Sequence, residues 1–189
     1  MSSTEIPSMG GTEIGPVLRR LASNVPSGQA IVEVGCWMGA GTAQLAMGAR
    51  DNPIHVYDRW RARPAEVEQA ALFGVTLTDG QNTLPLVMDA LRPLRKAIRF
   101  HRGDIRRARW RGGKIGLYVD DASKAAKIWS RSAAMFLPRI PVGGVAVLMD
   151  FHFRDDLAQR SYMFDRGDQW KMIDDRVGGT TAAVFRRIA

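Results

Sequence analysis

The stretch Ala30-Ile31-Val32-Glu33-Val34-Gly35-Cys36-Trp37-Met38-Gly39-Ala40-Gly41-Thr42 decides the fold. Its first five residues are a short, mostly β-branched run, the pattern of a buried strand. Gly35 ends the run. Glycines spaced Gly-x-x-x-Gly-x-Gly then let the backbone turn sharply and approach a ligand closely. Residues 42–50 follow as a helix, with Leu45 and Met47 available to a core. A strand, a glycine turn and a helix in that order open a βαβ unit. The spacing is not the Gly-x-Gly-x-x-Gly of dinucleotide enzymes. No Lys-Ser/Thr follows either, so a pyrophosphate ligand has no strong case.

The same alternation continues outward. Upstream, Ile14, Val17, Leu18 and Leu21 recur at helical spacing. Residues 1–11 are small and polar and are expected to form a loose tail ahead of one domain at 12–189. Downstream, strands are expected at 54–58, 98–102, 116–120 and 143–150. Pro64-Ala65-Glu66-Val67 reads as a helix start. A helix around Leu84, Val87 and Leu91 is perturbed by Pro85 and Pro93. Residues 123–137 form a further helix, and 154–166 are read as helical. The stretches 170–177 and 180–188 read as closing strands, with Gly178-Gly179 as the tight reversal of a hairpin. Strands alternating with helices predict a single-domain, Rossmann-like, doubly wound α/β sheet, mostly parallel, to which the hairpin adds an antiparallel strand.

Composition narrows the function classes. The chain has 189 residues, room for one domain. The start MSSTEIPSMGGTE has neither a basic opening nor an apolar run, so no signal peptide is expected. The apolar stretch 142–149 is too short to span a bilayer. One cysteine, Cys36, excludes an internal disulfide framework and a cysteine-based zinc cluster. A soluble, cytoplasmic protein without membrane contact is expected, with homo-oligomerisation left open. The 27 basic against 19 acidic residues give a net charge of +8, and only five of the cations are lysines. Arginine grips carboxylate and phosphate in a bidentate way, so an anionic partner fits, as does a merely solvated surface.

Acids cluster where chemistry is expected. In an open α/β sheet, ligands bind at the carboxyl ends of the strands. Glu33, Asp58, Asp120 and Asp150 lie at or near the ends of four expected strands, and Asp104 lies just past another. The segments AIVEVGCWMGAGT, IRFHRGDI, LYVDDASK and VGGVAVLMDF, with Asp58, together resemble the class I S-adenosylmethionine (SAM)-dependent methyltransferases. More narrowly, they resemble the small-molecule O-methyltransferase branch that includes macrocin- and catechol-type enzymes. The resemblance covers residues 12–188 and implies the sheet order 3-2-1-4-5-7-6.

It also implies roles. Gly35, Gly39 and Gly41, with Cys36 in the same turn, would wrap the methionine part of SAM. Glu33 would hold the ammonium end and Thr42 would bond the carboxylate. Asp58 would bind the ribose, with Arg59 and Trp60 following it; Trp60 either stacks on adenine or is a partly buried aromatic. Asp104, after Gly103, would face the adenine amino group, and Asp120 would sit beside the sulfonium and the acceptor. Metal-dependent members carry an acidic pair after strand five, but here Phe151 replaces its second half. A magnesium ion on Asp120 and Asp150, helped by Asp121 or His152, stays an open alternative. Asp120, Asp150 or His152 would assist deprotonation of a hydroxyl acceptor. His55 and His101 lie inside strands and are expected to be structural. The implied activity is direct methyl transfer to a small hydroxyl acceptor. Arg61, Arg63, Arg154, Arg160 and Tyr162 in the variable segments hint at an acidic or sugar-like one. The second reading is a nucleic-acid methyltransferase or binder, using the basic run of Arg99, Arg102, Arg106, Arg107, Arg109, Arg111 and Lys114 around Trp110.

Overall fold

The computed structural model describes residues 6–9, 13–94 and 96–189. Seven strands form one sheet: β1 Ala30–Val34, β2 Ile54–Asp58, β3 Ile98–Arg102, β4 Ile115–Asp120, β5 Val145–Leu148, β6 Trp170–Asp174 and β7 Ala183–Arg187. Their order is β3-β2-β1-β4-β5-β7-β6. The first five are parallel, and β7 runs antiparallel to both β5 and β6. The helices are α1 Ile14–Ser23, α2 Ala40–Gly48, α3 Pro64–Leu72, α4 Leu84–Leu91, α5 Ala126–Phe136 and α6 Ala158–Phe164. The doubly wound sheet and the expected strand order are both present.

Side chains alternate across the sheet with period two, which fixes what each strand offers to each face. Ile31, Val56, Leu117, Val119 and Val147 join the core layer under α1 and α2. Val32, Val34, Tyr57, Tyr118, Ala146 and Leu148 join the opposite layer, under α5, with Trp129 and Phe136. The parallel ladder extends past the strand ends: Gly35 donates to the Tyr57 carbonyl, Asp121 to Val34, Gly103 to Asp58 and Met149 to Asp120. Those four bonds line up the turns after β1, β2, β3, β4 and β5 along one edge, so the acids cluster there as expected.

Boundaries differ where backbone conformation overrides pattern. Helix α2 starts at Ala40 rather than 42, because Gly39 adopts φ +93 and lets the helix begin at once. Strand β5 is shorter than 143–150, since Gly143 at φ +87 is still in a turn. The β6–β7 hairpin closes through residues 175–182, not a two-residue reversal. Arg176, Gly178 and Gly179 are all left-handed, and the Val177 amide bonds the Ala182 carbonyl across the loop. Of the expected tail, residues 1–5, 10 and 11 lie outside the described residues, while Ile6 and Pro7 are buried. No described helix is long and apolar enough to cross a membrane.

Candidate active site

The turn after β1 is held by one carboxylate. Asp58 Oδ2 accepts from the Cys36 amide at 2.9 Å and the Trp37 amide at 3.3 Å, and Oδ1 accepts from the Trp60 amide at 2.8 Å. The end of β2 thereby fixes the glycine turn. Gly35, at φ +84, has no room for a side chain: a Cβ would lie 2.8 Å from the Asp121 carbonyl oxygen. Trp37 is also left-handed, at φ +46, an uncommon state for a bulky residue. Its indole N–H is buried without a hydrogen-bond partner.

Glu33 shares the α1/α2 face of the sheet and is buried. Thr42 donates its hydroxyl to Glu33 Oε2, so Thr42 serves the acid rather than standing free for a ligand carboxylate. Burial raises the Glu33 acid to about 8, with Asp121 and Asp58 adding to the effect and Thr42 opposing it. At Gly41 a Cβ would come 2.5 Å from Glu33 Oε1. Cys36 is buried, and burial followed by the Glu33 and Asp58 carboxylates pushes its thiol well up, leaving it no nucleophilic use.

A cavity of about 310 Å³ opens beside this turn. The turn and its surrounding acids supply Glu33, Gly35, Cys36, Trp37, Gly41 and Asp121 to its wall, and α1, α2 and the segment Ile6–Met9 close the other side. Asp58 and Gly39 are not in the lining, although both shape the turn. Arg19 and Gln44, hydrogen-bonded to each other, stand on the helical wall. Sequence gave no signal for these two, since they come from helix faces that read as ordinary surface.

Asp120 is a correction. The alternation of β4 sends Val119 to the cavity face and Asp120 to the opposite one. There Oδ1 accepts from the amides of Ala122 and Ser123, and Oδ2 from the hydroxyls of Tyr118 and Ser123. All of its acceptor positions are taken. Burial raises its acid, and Tyr118 and Ser123 oppose the rise. It is a scaffold group, with nothing left for a cofactor, an acceptor or a metal.

Asp121, the next residue, is exposed and lines the cavity. Crowding by protein and then the Asp150 carboxylate raise it to about 7, against the pull of Lys124. Asp150 pairs with Lys124 at 2.7 Å, and the ammonium also sits 5.6 Å from the Phe153 ring centroid. With Asp120 spent and Asp150 neutralised by lysine, the two candidate ligands do not fit a magnesium ion. Among the described residues no group of three or more His, Cys, Asp or Glu converges to hold a metal.

His152 is held away from the cavity. Arg160 approaches its Nδ1 at 3.0 Å, and Nε2 contacts the Asp175 carboxylate. Because arginine only donates, Nδ1 accepts and Nε2 carries the proton. Neither ring nitrogen is free to act as a base. Trp60 is fully buried, at φ +57, with its N–H on the His101 carbonyl and its ring against Phe100. It is the buried aromatic of the two readings. Arg59 is paired with Glu66 of α3. Gly103 is left-handed at φ +119, and Asp104 after it is gripped by the Arg106 side chain and amide, which lower its acid to about 2. His55 and His101 are structural, as expected: they stack on each other, and His101 stacks on Tyr57.

Three solved structures align with nearly the whole chain. The O-methyltransferase NovP superposes with a TM-score of 0.74 at 17% identity, covering 96% of this chain and 82% of its own. The chain has the fold of the class I SAM-dependent methyltransferases. The O-methyltransferase TomG from Streptomyces achromogenes, involved in tomaymycin synthesis and solved with SAM, gives 0.61 at 15% identity, over 97% and 82% of the two chains. An rRNA methylase from Streptococcus thermophilus gives 0.60 at 13% identity, over 96% and 100%. No protein-family model and no curated protein sequence matches. Methyltransferases of this fold thus include proteins named for small-molecule synthesis and for RNA.

Proposed function

We propose that this chain is a SAM-dependent methyltransferase, with 12–189 as its one domain, acting on a hydroxyl of a small acceptor. The convergence of Glu33, Asp121 and the Gly35–Gly41 turn on one cavity is the observation that carries it. Two acids there hold their protons above the ordinary carboxylate range, chiefly because burial disfavours their charged forms. A ligand with an ammonium and a sulfonium offers those acids a cationic partner. Gly35 and Gly41 allow the turn to pack directly against Asp121 and Glu33, where a side chain would collide. The volume suits a nucleoside-sized ligand.

SAM, when bound, supplies an electrophilic methyl group on sulfur. Glu33 and Asp121 bind the cationic end, and the glycine turn orients it. Asp58 fixes that turn with three of its four acceptor positions, leaving one on Oδ1 for a ribose hydroxyl. Asp121 shares that cationic end with Glu33, its acid raised to about 7 at the cavity. Lys124 and Asp150 beside it set its charge. Arg63, Arg154 and Arg160 each pair with an acid of their own chain, so the acceptor proposed is a hydroxyl compound without a required negative charge.

Calorimetry with S-adenosylhomocysteine (SAH) tests this. One site per chain is expected, weakened at least about tenfold by Asp58→Ala as the turn loosens, on the scale of one lost charge-assisted hydrogen bond. Absence of binding at high micromolar SAH would refute it.

A further inference from the structure

The connection from β3 to β4 differs from every other parallel crossover in the sheet. Helices α2, α3 with α4, and α5 fill the other three, whereas residues 103–114 contain only the short 3-10 turn Ile105–Arg107. A parallel crossover is usually helical, and twelve residues is near its minimum length. Ile105 is buried and Trp110 half-buried beneath this segment, so it packs on the sheet as an irregular cover. Its outer side is arginine.

Residues 99–114 carry seven cations and one acid, a net charge of +6 out of +8 for the whole chain. All seven cations are exposed. Only Arg106 forms an ion pair, with Asp104. The other six have no acidic partner among the described residues. Arg131 of α5 reaches the Ala108 carbonyl at 2.9 Å and adds its charge to the same surface, with Lys127 one turn earlier. A charge density this local is more than an edge strand needs to avoid pairing. It has no structural use inside the chain.

We infer that this strip is a docking surface for the phosphate backbone of a single-stranded nucleic acid. Six of its seven cations are arginine, whose planar fork matches phosphate. Trp110 anchors the strip among them, its ring packed on His55 and Phe136 and its N–H on the Gly113 carbonyl, so the cations are held on a fixed surface. The strip runs along β3 and back to the start of β4, and the Gly103 amide ties its upper end to Asp58. The inference rests on charge and exposure alone, not on the cofactor assignment.

The test is fluorescence anisotropy with a labelled mixed-sequence RNA of about 12 nucleotides, within the usual site size. With about five phosphates neutralised, log affinity falls with log salt at a slope of about −3.5, or about 100-fold between about 50 and 200 mM. The triple variant R107E/R109E/R111E is expected to weaken binding at least tenfold and to flatten the slope by about 2. A control with the same charge change elsewhere, R20E/R50E/R139E, is expected to change affinity less than about threefold. Should charge reversal lower the melting temperature, R107Q/R109Q/R111Q carries the test, with at least a fivefold loss expected. No RNA binding at about 50 mM salt, equal losses in both triples, or equal affinity for polyglutamate of matched charge would overturn the inference. SAH titration of the same proteins separates the two proposals: RNA binding without SAH binding removes the enzyme assignment and leaves the strip.

Discussion

Glu33→Gln isolates the titration of the buried acid beside the cavity. Glu33 is 3% exposed, and burial raises its acid from 4.5 to about 8. The folded chain therefore keeps a proton that the unfolded chain releases near 4.5, so stability falls as pH rises between those values. Each tenfold step is worth about 1.4 kcal/mol, so the full span is on the order of 5 kcal/mol, and the part between pH 5 and pH 8 is about 3 kcal/mol. Glutamine has the same shape, can still accept the Thr42 hydroxyl, and never ionises. Relative to wild type, the variant should gain about 3 kcal/mol from pH 5 to pH 8, or roughly 6–12 °C in melting temperature for a chain of this size. Thermal melts of both proteins at pH 5, 6, 7 and 8 read this difference directly, and titrations common to both cancel. A difference that stays flat with pH, whatever its size, would refute the reasoning, because it would mean Glu33 is ionised throughout. The same variant should bind SAH at least about tenfold more weakly, having lost a charged partner for the ammonium.

Gly41→Ala should weaken SAH binding by at least about tenfold while costing little stability, since its Cβ would press on Glu33 Oε1 and not on backbone; titration and melting measure the two together. SAH affinity should rise at least tenfold from pH 6 to pH 8, because Glu33 and Asp121 hold protons up to about 8 and 7 in the free chain and must release them to meet an ammonium. Calorimetry in buffers of differing ionisation heat would show that proton release, and a flat profile would contradict it. Asp120→Ala should cost about 2–4 kcal/mol in urea denaturation, since Tyr118, Ser123 and two amides lose their acceptor. An Asp120→Ala chain of wild-type stability would show that the acid is not the scaffold described.

Much of the fold was legible because its strands are short apolar runs and its turns are marked by glycine and acid. The limits of β1, β2 and β3 follow directly from the residues. The hairpin loop was not legible, because Arg176 adopts a left-handed conformation that arginine gives no reason to expect. At the site, Glu33 and the glycine turn line the cavity, while Asp58 lies outside its lining and meets the turn through backbone amides. Asp120 departs from its expected place because side chains alternate along β4. Val119 and Asp120 must face opposite ways, and the apolar Leu117 and Val119 already marked the cavity side. His152 could not have been read correctly, since its two partners, Arg160 and Asp175, lie 8 and 23 residues away along the chain. The cavity wall from Ile6 to Met9 was equally hidden: a short polar stretch looks like a tail until a groove is there to receive it.

A crystal structure with SAH tests the central claim most directly. The amino-acid end should lie between Glu33 and Asp121, with the glycine turn against it and a ribose hydroxyl within hydrogen-bond distance of Asp58 Oδ1. Density for SAH anywhere else on the chain, or a cavity that stays closed at saturating ligand, would contradict the account.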